Sequence, residues 1–202
     1  MMKKLGILVT GVLLLIACST SRAQIAGCET PCNLVKNGNF SAGNTGFTSD
    51  LLMGCNSCTA GTFCVGPQFT TKCNSWPANS YDHTLGTASG NYLLIDGYNG
   101  TGYKDVWKKS LPVCKGITYT FSFWAKNVYD GSVDVGMMIN GVQVGASASV
   151  ATKTWKQYSV TWTSAVSATI PIALRQMTGG EKRDFGVDDI FFGFCACACT
   201  PQ

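Results

Sequence analysis

The sequence predicts an all-β domain built as an antiparallel β-sandwich. Three observations carry this. Residues 117–126, ITYTFSFWAK, alternate without error: Tyr119, Phe121, Phe123 and Ala125 share one face, and Thr118, Thr120, Ser122, Trp124 and Lys126 share the other. That is the pattern of a strand with one inner face. Val133, Val135, Met137 and Ile139 alternate up to Asn140-Gly141, and Val142-Gln143-Val144 follows, as in a hairpin with a two-residue type I′ loop. Gly, Ser, Thr and Asn are abundant, and no long helical period occurs.

The remaining elements follow in order. Residues 33–40, NLVKNGNF, read as a short strand closed by an Asn-Gly turn. Residues 41–47 are Gly- and Asn-rich loop. From about 48 to 90 the chain holds four cysteines, Pro67, Pro77 and scattered aromatics, predicting a long disulfide-tied excursion with one short strand near 61–65. Regular pattern resumes with buried strands at 92–95 and 103–109, and a turn over 112–116. Tyr158, Val160 and Trp162 share a face in 155–163. Ile170, Ile172 and Leu174 do so in the next strand, where an outward Pro171 predicts an edge or a bulge. The last strand, 184–192, reads DFGVDDIFF. Phe185 and Val187 lie on one parity and Ile190 and Phe192 on the other, a phase change that requires a bulge or a bend.

The ends lie outside this fold. Lys3 and Lys4 precede an apolar run over 5–17, which reads as a secretory leader. Two exits stay open. Leu15-Ile16-Ala17-Cys18 has the form of a lipobox, with Cys18 lipidated after removal of 1–17, and Ser21-Arg22-Ala23 offers ordinary cleavage after residue 23. Export to an extracellular or outer-membrane surface position follows either way. Loss of Lys3, Lys4 and Arg22 brings the balance of 15 basic and 11 acidic residues close to neutral, and no basic run argues for nucleic acid. Residues 24–194 form one domain, and 195–202 form a Cys-rich tail.

Besides Cys18 there are ten cysteines: Cys28, Cys32, Cys55, Cys58, Cys64, Cys73, Cys114, Cys195, Cys197 and Cys199. An even number in an exported chain predicts disulfides, with the pairing open. The alternative, resting on the C-x-x-C at Cys55 and Cys58 and on Cys195, Cys197 and Cys199, is a zinc or thiol-exchange site.

In this order and spacing, NLVKNGNFSAGNTGF at 33–47, ITYTFSFWAKN at 117–127, INGVQVG, TWKQYSVTWTS and DFGVDDIFF resemble the carbohydrate-binding jelly-roll modules of the galactose-binding-like superfamily. The resemblance is to the families 4, 9 and 22 type, as found in exported Bacteroidota proteins. It implies that the first turn lies beside the last strand. It also implies a structural calcium ion there, held by Asp188 or Asp189 with Asn37, Asn39 or nearby carbonyls. The Glu that usually follows the Phe of the turn is Ser41 here, which removes one ligand of that set. The alternative is that one aspartate caps a bulge through backbone N–H groups while the other faces solvent.

The function implied is non-catalytic binding of a glycan or cell-surface polysaccharide, with self-association left open. The alternative is a structural or adhesive surface role for the same jelly roll. Sugar recognition needs a flat aromatic beside hydrogen-bonding groups. Trp124 stands on the outer parity with Lys126, where the family carries its concave binding sheet, or else packs at a sheet edge. Trp76, with Tyr81, Asp82 and His83 near it in the excursion, is a second candidate, or else fills a small core under the loop. Tyr98, Tyr103, Arg175 and Gln176 are candidate contacts at a strand end. Trp107, Trp155 and Trp162 read as packing residues. An enzyme is not expected: His83 is the single histidine, no G-x-S-x-G or H-E-x-x-H motif occurs, and neighbouring strand residues such as Asp188 and Asp189 point apart.

Overall fold

The computed structural model describes residues 30–196, with side chains over 33–194. The expected leader, Cys18, Cys28, Cys197, Cys199 and the end of the tail lie outside the described residues. The elements in order are β1 (Thr30–Asn33), β2 (Leu52–Met53), β3 (Thr62–Gly66), α1 (Phe69–Lys72), β4 (Tyr92–Asp96), β5 (Lys104–Val113), β6 (Thr118–Asn127), β7 (Val133–Ile139), β8 (Val142–Gln143), β9 (Ala148–Val150), β10 (Lys156–Thr163), β11 (Ala168–Gln176) and β12 (Phe185–Ala196). Two sheets form. One runs β10-β6-β12-β4-β3-β2 with β1 also on β12, and the other runs β5-β11-β7-β8 with β9 on β7. Every pairing is antiparallel except β2 with β3.

The alternation in β6 places the core. Tyr119, Phe121, Phe123 and Ala125 are buried inward against Leu93, Ile95, Val135, Ile172, Leu174, Phe185, Val187 and Phe192. Removing that apolar area from water is worth roughly 25 cal/mol per Å² and is what joins the sheets. The predicted hairpin is present: Asn140 and Gly141 both have positive φ, 50° and 79°, and Ile139 pairs with Val142. Trp107 is core, as expected, and Trp162 packs partly buried against it.

Several expectations are corrected. The first strand ends at Asn33, and 36–39 is already turn, because Asn37 has φ 60° and Gly38 presses on β12. A Cβ at Gly38 would lie 2.1 Å from the Ile190 carbonyl oxygen. β5 continues through Pro112 instead of turning there; it is an edge strand, where a missing N–H costs nothing. β11 is not an edge strand, but the alternative of a local irregularity holds: its register with β5 shifts between Leu174 and Arg175. It lies between β5 and β7, and Pro171 is accommodated because the ladder to β7 begins one residue later, at Ile172. The short elements β2, α1 and β9 carry too few residues for a period to show.

The phase change in the last strand is a bulge. The β12–β6 register shifts between Asp188 and Phe191, and Asp189 has φ 45°. Before the bulge β12 pairs with β4 and β6; after it, with β1 and β6. One long strand thereby ties the opening segment to the middle of the sheet.

Candidate functional site

The outer face of the larger sheet is divided. Over β3 and β4 it is covered by the excursion, lashed by the Cys55–Cys64 and Cys58–Cys73 disulfides. Cys55 and Cys58 are thus bonded to other partners and supply no zinc or exchange pair. Cys114 is disulfide-bonded as well. Beneath the excursion a second hydrophobic cluster gathers Phe69, Trp76, Tyr92, Leu94 and Val128, with Trp155 at its margin. Trp76 is 5% exposed and packs edge-on to Phe69 at 5.8 Å, so it fills this small core and is no ligand platform.

Lys126 is corrected too. It is 4% exposed, under the excursion. Its ammonium lies over Trp155, Tyr92 and Phe69 at 4.4, 4.8 and 5.2 Å and donates to the Tyr81 carbonyl at 2.6 Å. Burial pushes its pKa down to about 8, against the pull of Asp188 and Asp82. Lys72 is a second internal fastener. Its ammonium donates to the Ser57 carbonyl, pairs with Asp96 at 3.3 Å and lies over Trp76. Asp184, next to Asp96, is pushed up to about 7, chiefly by burial.

Beyond the excursion the sheet face is open. Across β10, β6 and β12, Gln157, Trp124 and Asp188 stand in register, so their side chains share the outer face. A cleft of about 690 Å³ lies here. Thr120, Ser122, Trp124 and Gln157 line it from the sheet, Asn33, Asn37 and Asn39 from the opening segment, and Asp189 from the bulge. Trp124 is half-buried. The structure therefore brings Trp124 together with Asn37, Asn39 and Asp189, four residues the sequence singled out for two separate reasons.

The other candidates do not join them. Gln176 is 2% exposed; its amide accepts from the Tyr98 N–H and donates to the Tyr98 and Thr178 carbonyls. It is a clamp on the loop after β4. Arg175 makes a two-point ion pair with Asp105, at 2.6 and 3.1 Å. Tyr103 is 61% exposed. Tyr98, Tyr103, Arg175 and Gln176 are absent from the lining of the cleft that Trp124 faces.

Beside the cleft, against two of the residues that line it, stands a residue that sequence reasoning did not place. His83 stacks on Trp124 with ring centroids 3.8 Å apart and planes 17° apart. Its Nδ1 lies 2.6 Å from Asp189 Oδ2. The Thr84 hydroxyl donates to Asp189 Oδ1 at 2.8 Å. Asp188 is fully buried and accepts from the N–H groups of His83, Thr84 and Asp189 and from the Thr84 hydroxyl. Burial, then repulsion from Asp189, pushes its pKa up to about 7. The available signal was a lone histidine in a tied loop. Its carboxylate partner is not the adjacent Asp82 but lies 106 positions away.

The side-chain oxygens named for a calcium ion are already engaged in hydrogen bonds. Calcium needs six to eight oxygens aimed at one point. Here Asn37 donates to the Gly43 and Thr45 carbonyls while its oxygen accepts the Ala42 N–H, all at 2.9 Å. Asn39 Oδ1 accepts from Ser41, and the lone pairs of Asp188 face N–H and O–H donors. Among the described residues no three His, Cys, Asp or Glu side chains converge. The opening segment and the last strand are clasped directly: the Ile190 N–H bonds to the Gly38 carbonyl at 2.9 Å, the Leu34 N–H to Phe192 at 2.8 Å, and the Asn33 amide spans Ile190 and Phe192.

No protein-family model matches the chain, and no curated protein matches it in sequence. Solved structures do. A family 16 carbohydrate-binding module is similar with a TM-score of 0.51 at 15% identity, over 79% of this chain and 99% of that one. The CBM22-1 xylan-binding domain from Paenibacillus barcinonensis Xyn10C is similar with a TM-score of 0.50 at 12% identity, over 84% and 95%. The Stig cyclase Fisc from Fischerella sp. TAU is similar with a TM-score of 0.56 at 13% identity, over 81% and 98%. Two packed sheets, a last strand clasped to the first turn and these likenesses together give the conclusion that the chain has a jelly-roll β-sandwich fold, one shared by carbohydrate-binding modules and by a Stig cyclase.

Proposed function

We propose that the protein is a non-catalytic glycan-binding module whose site is the cleft over β10, β6 and β12. One observation carries this reading: a half-buried tryptophan, Trp124, lines a cleft whose other polar lining is mainly uncharged amides and hydroxyls. The part of the Trp124 indole that His83 leaves uncovered supplies the apolar surface for a pyranose C–H face, and Asn, Gln, Ser and Thr supply directional bonds to hydroxyls. The likeness to carbohydrate-binding modules supports the same reading at the level of fold, which alone does not determine function. Glycoside hydrolysis is opposed by the arrangement of acids. Asp188 is buried under the 83–84 turn and Asp189 is bound by His83 and Thr84, so they do not face each other across the cleft as a hydrolytic pair would.

Disulfides at Cys55–Cys64 and Cys58–Cys73 support a place outside the cytoplasm, where the ligand would be a free or cell-surface polysaccharide. The test is a glycan array followed by calorimetry on hits. Trp124→Ala is expected to weaken binding by roughly tenfold or more, as for truncation of an aromatic hot spot. A folded wild-type protein that binds no glycan would leave the structural or adhesive role as the reading of this fold.

A further inference from the structure

The imidazole of His83 is held more tightly than a loop fastener requires. Its backbone N–H already ties the loop to β12 through Asp188, at 2.8 Å. The side chain is then fixed a second time, in plane by the stack on Trp124 and in rotation by Asp189. Asp189 reaches it from a bulge, in a left-handed conformation (φ 45°) that costs an L-residue about 1–2 kcal/mol. The Thr84 hydroxyl in turn steadies the carboxylate. A carboxylate at Nδ1 accepts a proton bond, so the neutral ring carries its hydrogen there and leaves the lone pair on Nε2. Nε2 makes no hydrogen bond among the described residues, and the side chain is 28% exposed. His83 is not itself in the lining of the cleft, but it stands at its margin, held by two residues that are, Trp124 and Asp189.

We propose that His83 is a ligand-contacting residue of this cleft, with Asp189 as its positioning residue, and that Nε2 accepts a hydroxyl hydrogen from a neutral glycan. This rests on the glycan reading of the cleft. The charge of the site points to the ligand class. Among the described lining residues there is a carboxylate and no Lys or Arg, whereas uronates and sulfates are held by charge-assisted bonds from cations. A ligand that donates O–H and carries no anion fits this wall; an acidic chain meets Asp189 unpaired by any cleft cation.

The experiment uses the full chain with xylan, β-1,4-galactan and a β-glucan as neutral probes and polygalacturonate as the acidic one. Calorimetry is expected to find binding among the neutral probes and none to polygalacturonate. His83→Phe keeps a flat ring for Trp124 but no acceptor; its affinity should fall about tenfold or more with an unchanged melting temperature. In nitrogen-correlated NMR of the wild type, the ring should show its hydrogen on Nδ1, and Nε2 should shift on saturation with the bound glycan. That spectrum needs no variant, so it decides the matter even if His83→Phe fails to fold. Unchanged affinity in a folded His83→Phe, an Nε2 signal indifferent to the glycan, or preference for polygalacturonate overturns the proposal while leaving the cleft as the site. A wild-type chain that binds none of the probes overturns the cleft reading itself.

Discussion

The carboxylate of Asp188 accepts the backbone N–H of His83 at 2.8 Å, across 105 positions of chain, from a side chain that is fully buried. This contact ties the 83–84 turn to the last strand beside the cleft, and its carboxyl titrates. Burial pushes Asp188 and Asp184 up to about 7 from 3.8. A carboxyl with a raised folded pKa binds its proton more tightly in the native state. Its contribution to stability is therefore full below the unfolded value and is lost as pH rises through about 7. The melting temperature should decline between pH 4 and 8, and Asp184→Asn or Asp188→Asn should flatten that slope. An equally steep decline in both variants would contradict the assignment.

Lys126 has the opposite sign. Its pKa is pushed down to about 8, so the native state loses its proton before the unfolded chain does, and stability should rise as pH goes from 8 toward 10. Lys126→Met should abolish that rise. It should cost no more than about 1 kcal/mol at pH 7, since a buried charge replaced by an apolar group of similar volume is often near neutral. The Tyr81 carbonyl keeps the Trp155 indole N–H as a donor, at 3.1 Å. Lys126→Ala leaves a cavity among three rings, and urea denaturation should show a loss of about 2–4 kcal/mol.

The Cys58–Cys73 bridge spans 15 residues of the excursion. Replacing both by Ser should destabilise the protein by about 3 kcal/mol on a loop-entropy estimate. Because the excursion carries the 83–84 turn, proteolysis should reach residues 67–90 first. Simultaneous protection loss in β6 and β12 by hydrogen exchange would show instead that the excursion and the sandwich unfold as one unit.

Metal dependence is a direct check on the clasp. With the oxygens of Asn37, Asn39 and Asp188 already bonded to N–H and O–H donors, chelation with EDTA and addition of millimolar calcium should each leave the melting temperature unchanged. A calcium-dependent rise of several degrees would require those hydrogen bonds to break in favour of the ion.

The legible parts were the ones with a local period. The alternation in 117–126 assigned the inner and outer faces of β6 residue by residue, and so placed Thr120, Ser122 and Trp124 on the face that became the cleft floor. Asn140-Gly141 specified its own turn, because both residues tolerate positive φ. The excursion was visible as a region, through its cysteines and prolines. What lay inside it was not: Trp76 and Trp124 carry the same side chain in comparably aromatic neighbourhoods, yet one is buried under a loop and the other faces a cleft.

Local pattern by itself determined the all-β class, the hairpin, the core parity and a change of phase at Asp188 and Asp189, because each is a statement about neighbours in the chain and the two-residue repeat of an extended backbone. Only the tertiary structure decided what the bulge is for. It set Asp188 against the N–H of His83, Asp189 against its ring, and that ring against Trp124. Those contacts join segments between 41 and 106 positions apart, and their geometry depends on how a disulfide-tied loop folds over a sheet face, for which no local period exists.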